Sequence, residues 1–159
     1  MPVKKAQDQG GKLKVLAVAS SGGHWVQLRR VIPAFAGFEV IYVTVLESYR
    51  SQVPENRFYR VNDATRWNKL SMIALALRLA WIMAKEKPGV VISTGAAPGY
   101  FALLLGRWFG ARTIWIDSMA NIEHISMSGA RVGRYADLWL TQWPHLAKSE
   151  GPHYAGGVL

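Results

Sequence analysis

The chain has 159 residues, half of them hydrophobic, which suits one domain with a real core and excludes a disordered tail or a fibrous repeat. Nineteen Lys and Arg against ten Asp and Glu give a net charge of +9, a balance that suits nucleic acid, an anionic membrane surface or a phosphorylated small molecule. The absence of cysteine excludes disulfides and thiolate metal sites.

Residues 1–12 form a polar, Gly-containing stretch with Lys4, Lys5 and Lys12, expected to be a flexible basic leader ahead of one domain over residues 13–159. It has no apolar core of a secretory signal. The apolar run Leu13–Ala19 predicts a buried strand, which breaks off in Ser20-Ser21-Gly22-Gly23-His24. Leu28, Val31, Ile32 and Phe35 then recur at helical spacing, predicting a helix over Trp25–Phe35. A strand, a glycine-rich turn and a helix start form a natural phosphate cradle. The free N–H groups and the positive end of the helix dipole favour an anion there, and glycine allows close backbone approach. Ser21, Gly22 and Gly23 are the candidate contacts. His24 adds a group that titrates near neutral pH, either a base or phosphate contact or a purely structural histidine.

Further strands are expected over Phe38–Val45, Phe58–Val61, Val90–Ser93, Arg112–Asp117 and Leu138–Thr141, all short and rich in β-branched and aromatic residues. Helical patterns fall between them at Trp67–Lys87, Pro98–Phe109 and, more weakly, Asn121–Tyr135. Strands alternating with helices predict an α/β fold, a Rossmann-like, doubly wound and mainly parallel sheet. In such sheets ligands bind at the carboxyl ends of the strands. Those ends carry Ser21–His24, then Thr94-Gly95-Ala96-Ala97-Pro98-Gly99, then Asp117-Ser118 and Thr141-Gln142. Gly95 and Ala96 form a second candidate anion turn, so a diphosphate could bridge the two loops; an ordinary strand-to-helix turn is the plain alternative. Asp117 is a second candidate base or the orienter of His24, or else a carboxylate capping the next turn.

The segment Trp67–Lys87 is almost wholly apolar between Leu70 and Ala84, with Arg78 and Lys85 on one strip. Sixteen helical residues reach only about 24 Å, short of the roughly 30 Å bilayer core, so spanning is not expected. Trp67 and Trp81 beside Arg78 and Lys85 make an aromatic-basic edge for lipid or a partner, with a core helix and one solvated strip as the alternative. His124, His145 and His153 lack metal-ligand spacing, and neither metal nor cofactor is expected. The tail Tyr154–Leu159 looks like a flexible end.

Taken in order, Ser20–His24, Lys87-Pro88-Gly89-Val90-Val91-Ile92-Ser93-Thr94-Gly95, Thr113–Asn121, Ser126-Met127-Ser128-Gly129 and Tyr135-Ala136-Asp137 resemble the PssD-type subunits of bacterial exopolysaccharide glycosyltransferases. These are relatives of the eukaryotic anchor subunit of the lipid-linked N-acetylglucosaminyltransferase. The resemblance runs from about Leu13 to the C-terminus. It implies the acceptor-side half of a GT-B glycosyltransferase, equivalent to the N-terminal domain of MurG-like enzymes. A separate donor-binding chain would grip the nucleotide-sugar, and a polyprenyl-diphosphate-linked sugar would be the acceptor. Peripheral attachment to an anionic membrane on the cytoplasmic face is implied, as is a partner-holding role for the tail, at Val158 and Leu159. Many members read Glu-Ser-Phe-Ala-Arg where this chain has Asp117-Ser118-Met119-Ala120-Asn121, so a role resting on that arginine does not carry over. A self-contained nucleotide- or nucleic-acid-binding α/β protein is the alternative. The chain has no Walker or G-x-G-x-x-G pattern and no recognised nucleic-acid motif, so no nucleic acid is expected as a partner.

Overall fold

A computed structural model describes residues 11–158. Strands β1 (Lys14–Val18), β2 (Glu39–Thr44), β3 (Arg57–Arg60), β4 (Val90–Ser93), β5 (Arg112–Ile116), β6 (Leu138–Thr141) and β7 (His153–Tyr154) form one sheet. Its order is β3-β2-β1-β4-β5-β6-β7, and every neighbouring pair is parallel. The α-helices among the described residues are α1 (Gly23–Val31), α2 (Lys69–Glu86), α3 (Ala96–Trp108) and α4 (Met127–Val132). The chain leaves β1 in one direction for β2 and β3, then returns to place β4 on the other side of β1. The gap between β1 and β4 is therefore the topological switch point of a Rossmann-like α/β sheet.

Period-two alternation sorts the strand residues into two cores. Leu16, Val18, Ile41, Val43 and Val91 face Leu75, Leu79, Ile82 and Met83 of α2 and Ala102 and Leu103 of α3. Val15, Ala17, Val40, Tyr42 and Ile92 face Trp25 and Leu28 of α1 on the opposite side. With both faces covered, the central strands are apolar throughout, as their sequence indicates.

Local chemistry moves several element ends. Asn68 caps α2 by accepting from the Ser71 N–H at 3.0 Å, which leaves Trp67 in the turn before the helix rather than on it. Lys87 stops that helix in the left-handed conformation, ahead of Pro88. Helix α3 starts at Ala96, two residues before Pro98, because a proline needs no N–H in the first turn. The expected helix Asn121–Tyr135 shrinks to the six residues of α4 plus a 3-10 turn at Gly133–Tyr135. Ser126 caps α4, accepting from the Gly129 N–H at 2.9 Å, while Gly129 and Gly133 keep the helix short. Strand β7 and a 3-10 segment at Glu47–Gln52 have no counterpart in the periodicity. The tail is held: Val158 N–H donates to Gln142 Oε1 at 3.0 Å and its carbonyl accepts from Arg30 at 3.2 Å. The expected flexible end is therefore ordered through Val158. Leu159 and the expected leader residues Lys4 and Lys5 lie outside the described residues.

No helix is long and apolar enough to cross a membrane among the described residues.

Candidate functional site

The loops after β1 and β4 meet across the switch point. His24 Nδ1 donates to the Thr94 carbonyl at 2.9 Å, and Thr94 Oγ1 donates back to the His24 carbonyl at 2.6 Å. A carbonyl can only accept, so this bond places the proton on Nδ1 and leaves Nε2 of the neutral ring as the basic nitrogen. The half-buried imidazole lies directly against Gly95. A Cβ on residue 95 would fall far inside van der Waals contact of the ring, and φ at this position is +142°, so only glycine fits.

Both helix starts beside this lock lack side-chain caps. The Gly22 N–H donates to Tyr49 Oη at 3.0 Å, and the Gly95 N–H to Ser93 Oγ at 3.2 Å. These two glycines supply conformation, with φ of +67° at Gly22, while their own donors are spent inside the protein. The orphan donors are the next ones along each helix: Gly23, His24 and Trp25 on α1, and Ala96 and Ala97 on α3. Two dipole ends therefore converge where the sequence placed Ser21, Gly22, Gly23, Gly95 and Ala96. The free donors lie about two residues further along the first loop and about one further along the second than the sequence candidates.

Asp117 belongs to a different construction. It is buried, and its Oδ1 accepts from Trp115 Nε1 at 3.0 Å and Ser126 Oγ at 2.5 Å. Its Oδ2 accepts from the Ser126 N–H at 2.8 Å and Asn121 Nδ2 at 3.2 Å. These four donors occupy the carboxylate and fold the 117–126 loop over β5. The expectation that Asp117 orients His24 is corrected: the Thr94 carbonyl has that task. Asn121 is one of the four donors.

Sequence reasoning missed Gln27 and placed Gln142 only as one of the polar strand ends; both are buried. Gln27 donates to Ser118 Oγ at 3.1 Å and accepts from the Met119 N–H at 3.1 Å. Gln142 Nε2 donates to Gln27 Oε1 at 2.6 Å and to the Asp117 carbonyl at 3.0 Å. The sequence signals were Gln27 as a polar residue on the apolar side of α1 and Gln142 at the polar end of β6. This network ties the β1, β5 and β6 loops into one rigid edge.

The aromatic-basic edge forms on the outer face of α2. Arg78 and Lys85 both stack on Trp81, at 4.6 and 4.8 Å from the ring centre. Leu70, Ile73 and Leu77 share this exposed face with Trp81. Trp67 is 81% exposed beyond the helix start, with Arg66 stacked on it at 4.5 Å. Among the described residues, no group of His, Asp and Glu could hold a metal ion.

A family model described as "Oligosaccharide biosynthesis protein Alg14 like" matches residues 52–158, more than half of the chain. A UDP-N-acetylglucosamine transferase subunit ALG14 from Yarrowia lipolytica is 26% identical over 92% of this chain and 81% of its own length. Among solved structures, MurG from Acinetobacter baumannii superposes with a TM-score of 0.75 at 15% identity, over 91% of this chain and 46% of its own. A UDP-N-acetylglucosamine 2-epimerase from Rickettsia bellii gives 0.69 at 14% identity, over 92% of this chain and 45% of its own. The chain thus spans under half the length of these structures, and at such identities they share the fold.

Proposed function

The chain belongs to the Alg14-like family of oligosaccharide biosynthesis proteins, and from that membership we propose that it is the acceptor-binding, membrane-associating subunit of a two-chain glycosyltransferase. The reaction moves a sugar from a nucleotide-sugar to a polyprenyl-diphosphate-linked saccharide in exopolysaccharide or capsule synthesis. The supporting observation is the pair of uncapped helix starts locked together through His24 and Thr94 at the switch point. Five orphan N–H groups there suit the acceptor diphosphate. His24 Nε2 takes the proton of the attacking acceptor hydroxyl, while a donor-binding partner chain stabilises the departing nucleotide. Asp117, with its carboxylate occupied, shapes the loop and takes no proton.

Residues Trp67, Arg78, Trp81 and Lys85 lay the outer face of α2 against an anionic bilayer on the cytoplasmic side. Aromatic rings seat at the interface and the cations meet lipid phosphates. Val158, held by Gln142 and by Arg30 of α1, serves with Leu159 as a contact for the partner.

The test is an assay of the chain with its donor-binding partner on a lipid-linked acceptor. A His24→Ala variant in an intact complex should lose about 10²- to 10⁴-fold in rate, the usual contribution of a general base. Undiminished turnover would remove His24 from the chemistry.

A further inference from the structure

On the face of the sheet away from α1, the starts of α2, α3 and α4 enclose a cavity of about 230 Å³. Its walls are Met72, Ala97, Tyr100, Phe101 and Met127, with Thr65 and Ser128 among them, and Arg66 and Arg131 at its rim. An apolar cavity of about 150 Å³ holds a benzene, so this one accommodates one or two five-carbon units. Methionine and aromatic walls adapt to an irregular hydrocarbon. Among the described residues neither arginine has a carboxylate partner. Arg66 meets the Met127 sulfur at 3.7 Å and stacks on the Trp67 ring. Two unpaired cations beside an apolar cavity complement an amphiphile with an anionic head.

The cavity is continuous at both ends with features already described. Met72 and Phe101 also line a second apolar recess of about 350 Å³, which reaches Ile73 on the exposed stripe of α2. At the other end, the Ala97 side chain lines the cavity while its N–H is one of the orphan donors at the start of α3. An apolar path thus runs from the aromatic-basic face of α2 to the back of the anion-binding loop.

We propose that this cavity holds the phosphate-proximal isoprene units of a polyprenyl phosphate lipid, with Arg66 and Arg131 pairing with its phosphate oxygens. The assignment rests on the acceptor reading of the switch-point loops and gives that acceptor a track for its chain.

The test uses the full chain and three probes: farnesyl diphosphate, farnesol and inorganic pyrophosphate. Ser128→Phe fills the cavity, and should weaken farnesyl diphosphate by about tenfold or more while leaving pyrophosphate binding unchanged. Arg66→Glu and Arg131→Glu lie on the exposed rim, where the fold tolerates them. Each should weaken farnesyl diphosphate about tenfold and farnesol little. A diazirine-bearing farnesyl diphosphate should label Met72, Phe101 or Met127. Unchanged farnesyl diphosphate binding in Ser128→Phe, with melting temperature retained, overturns the proposal. So does labelling confined to Leu70, Leu77 and Trp81, which would mean adsorption to the outer stripe. Equal losses for pyrophosphate and farnesyl diphosphate in Ser128→Phe would mean that the change disturbs the phosphate contacts rather than an isoprene site, and would overturn the isoprenoid assignment. If the cavity fails while His24→Ala still abolishes transfer, the acceptor reading survives without this track. If the chain site binds but the paired enzyme transfers nothing to lipid-linked acceptors, the acceptor reading fails and the cavity stands as an isoprenoid-phosphate site.

Discussion

His24 is gripped from two sides, by the Thr94 carbonyl at Nδ1 and by the flat backbone of Gly95 against its ring. Gly95→Ala should therefore act like a change at His24, because the new methyl expels the imidazole and the φ of +142° strains any L-residue. The expected cost is about 1–3 kcal/mol of stability together with a fall in transfer rate, read by thermal melting and the coupled assay. Asp117→Ala belongs to another class. It orphans the buried Trp115 indole and the Ser126 donors, at about 1–3 kcal/mol for each buried group left unpaired. Urea denaturation should show a lower midpoint for this variant. His24 was conspicuous in the sequence because a strand, two glycines and a histidine adjoin one another. Its partner Thr94 lies seventy residues away, and nothing local at either position announces the pairing.

Helix α2 has two apolar sides with opposite fates. Leu75, Leu79, Ile82 and Met83 are buried, and Leu79→Ala should destabilise the domain by about 2–5 kcal/mol in denaturant unfolding. Leu70, Ile73, Leu77 and Trp81 remain exposed, flanked by Arg78 and Lys85. An Arg78→Glu, Lys85→Glu double change should leave the fold intact and weaken binding to anionic liposomes. The loss is about 1 kcal/mol per cation removed, read by co-sedimentation at two salt concentrations. The near-continuous hydrophobicity of this segment established a helix but not which side faced the sheet. Asn68 and Lys87 set its ends by capping, which is why Trp67 lies outside it.

At the scale of the whole molecule, the edge opposite the site is fastened by Glu86. This buried carboxylate at the end of α2 meets Lys14 of β1 at 3.3 Å, Arg57 of β3 at 2.5 Å and the Tyr59 hydroxyl. Burial pushes the Glu86 carboxyl up. Hydrogen bonds from Tyr59 and Lys14 and the charge and hydrogen bond of Arg57 outweigh it, holding the group below the usual carboxylate range. A depressed folded-state pKa contributes stability above the unfolded value of about 4.3, and that stability is lost as pH falls through the folded value. Wild type should lose stability steeply in this acid window, while Glu86→Gln should show a flatter decline. Denaturant midpoints measured between neutral pH and about pH 3 check this. No spacing rule links Lys14, Arg57, Tyr59 and Glu86, which the β3-β2-β1 order and the docking of α2 on those strands bring together.

By itself the sequence determined the α/β class, the parallel sheet and the edge on which polar loops gather. These come from local periodicity, turn chemistry and the burial of short apolar strands. It also located the two glycine-rich loops, because a strand-to-helix turn is complete within a short stretch of chain. Only the tertiary structure decided which N–H groups stay free, since Tyr49 and Ser93 claim those of Gly22 and Gly95. It likewise decided that Thr94 rather than Asp117 orients His24, and that three helix starts enclose one apolar cavity. Such pairings join residues far apart in the chain, and sheet order and helix docking settle them together rather than any local preference.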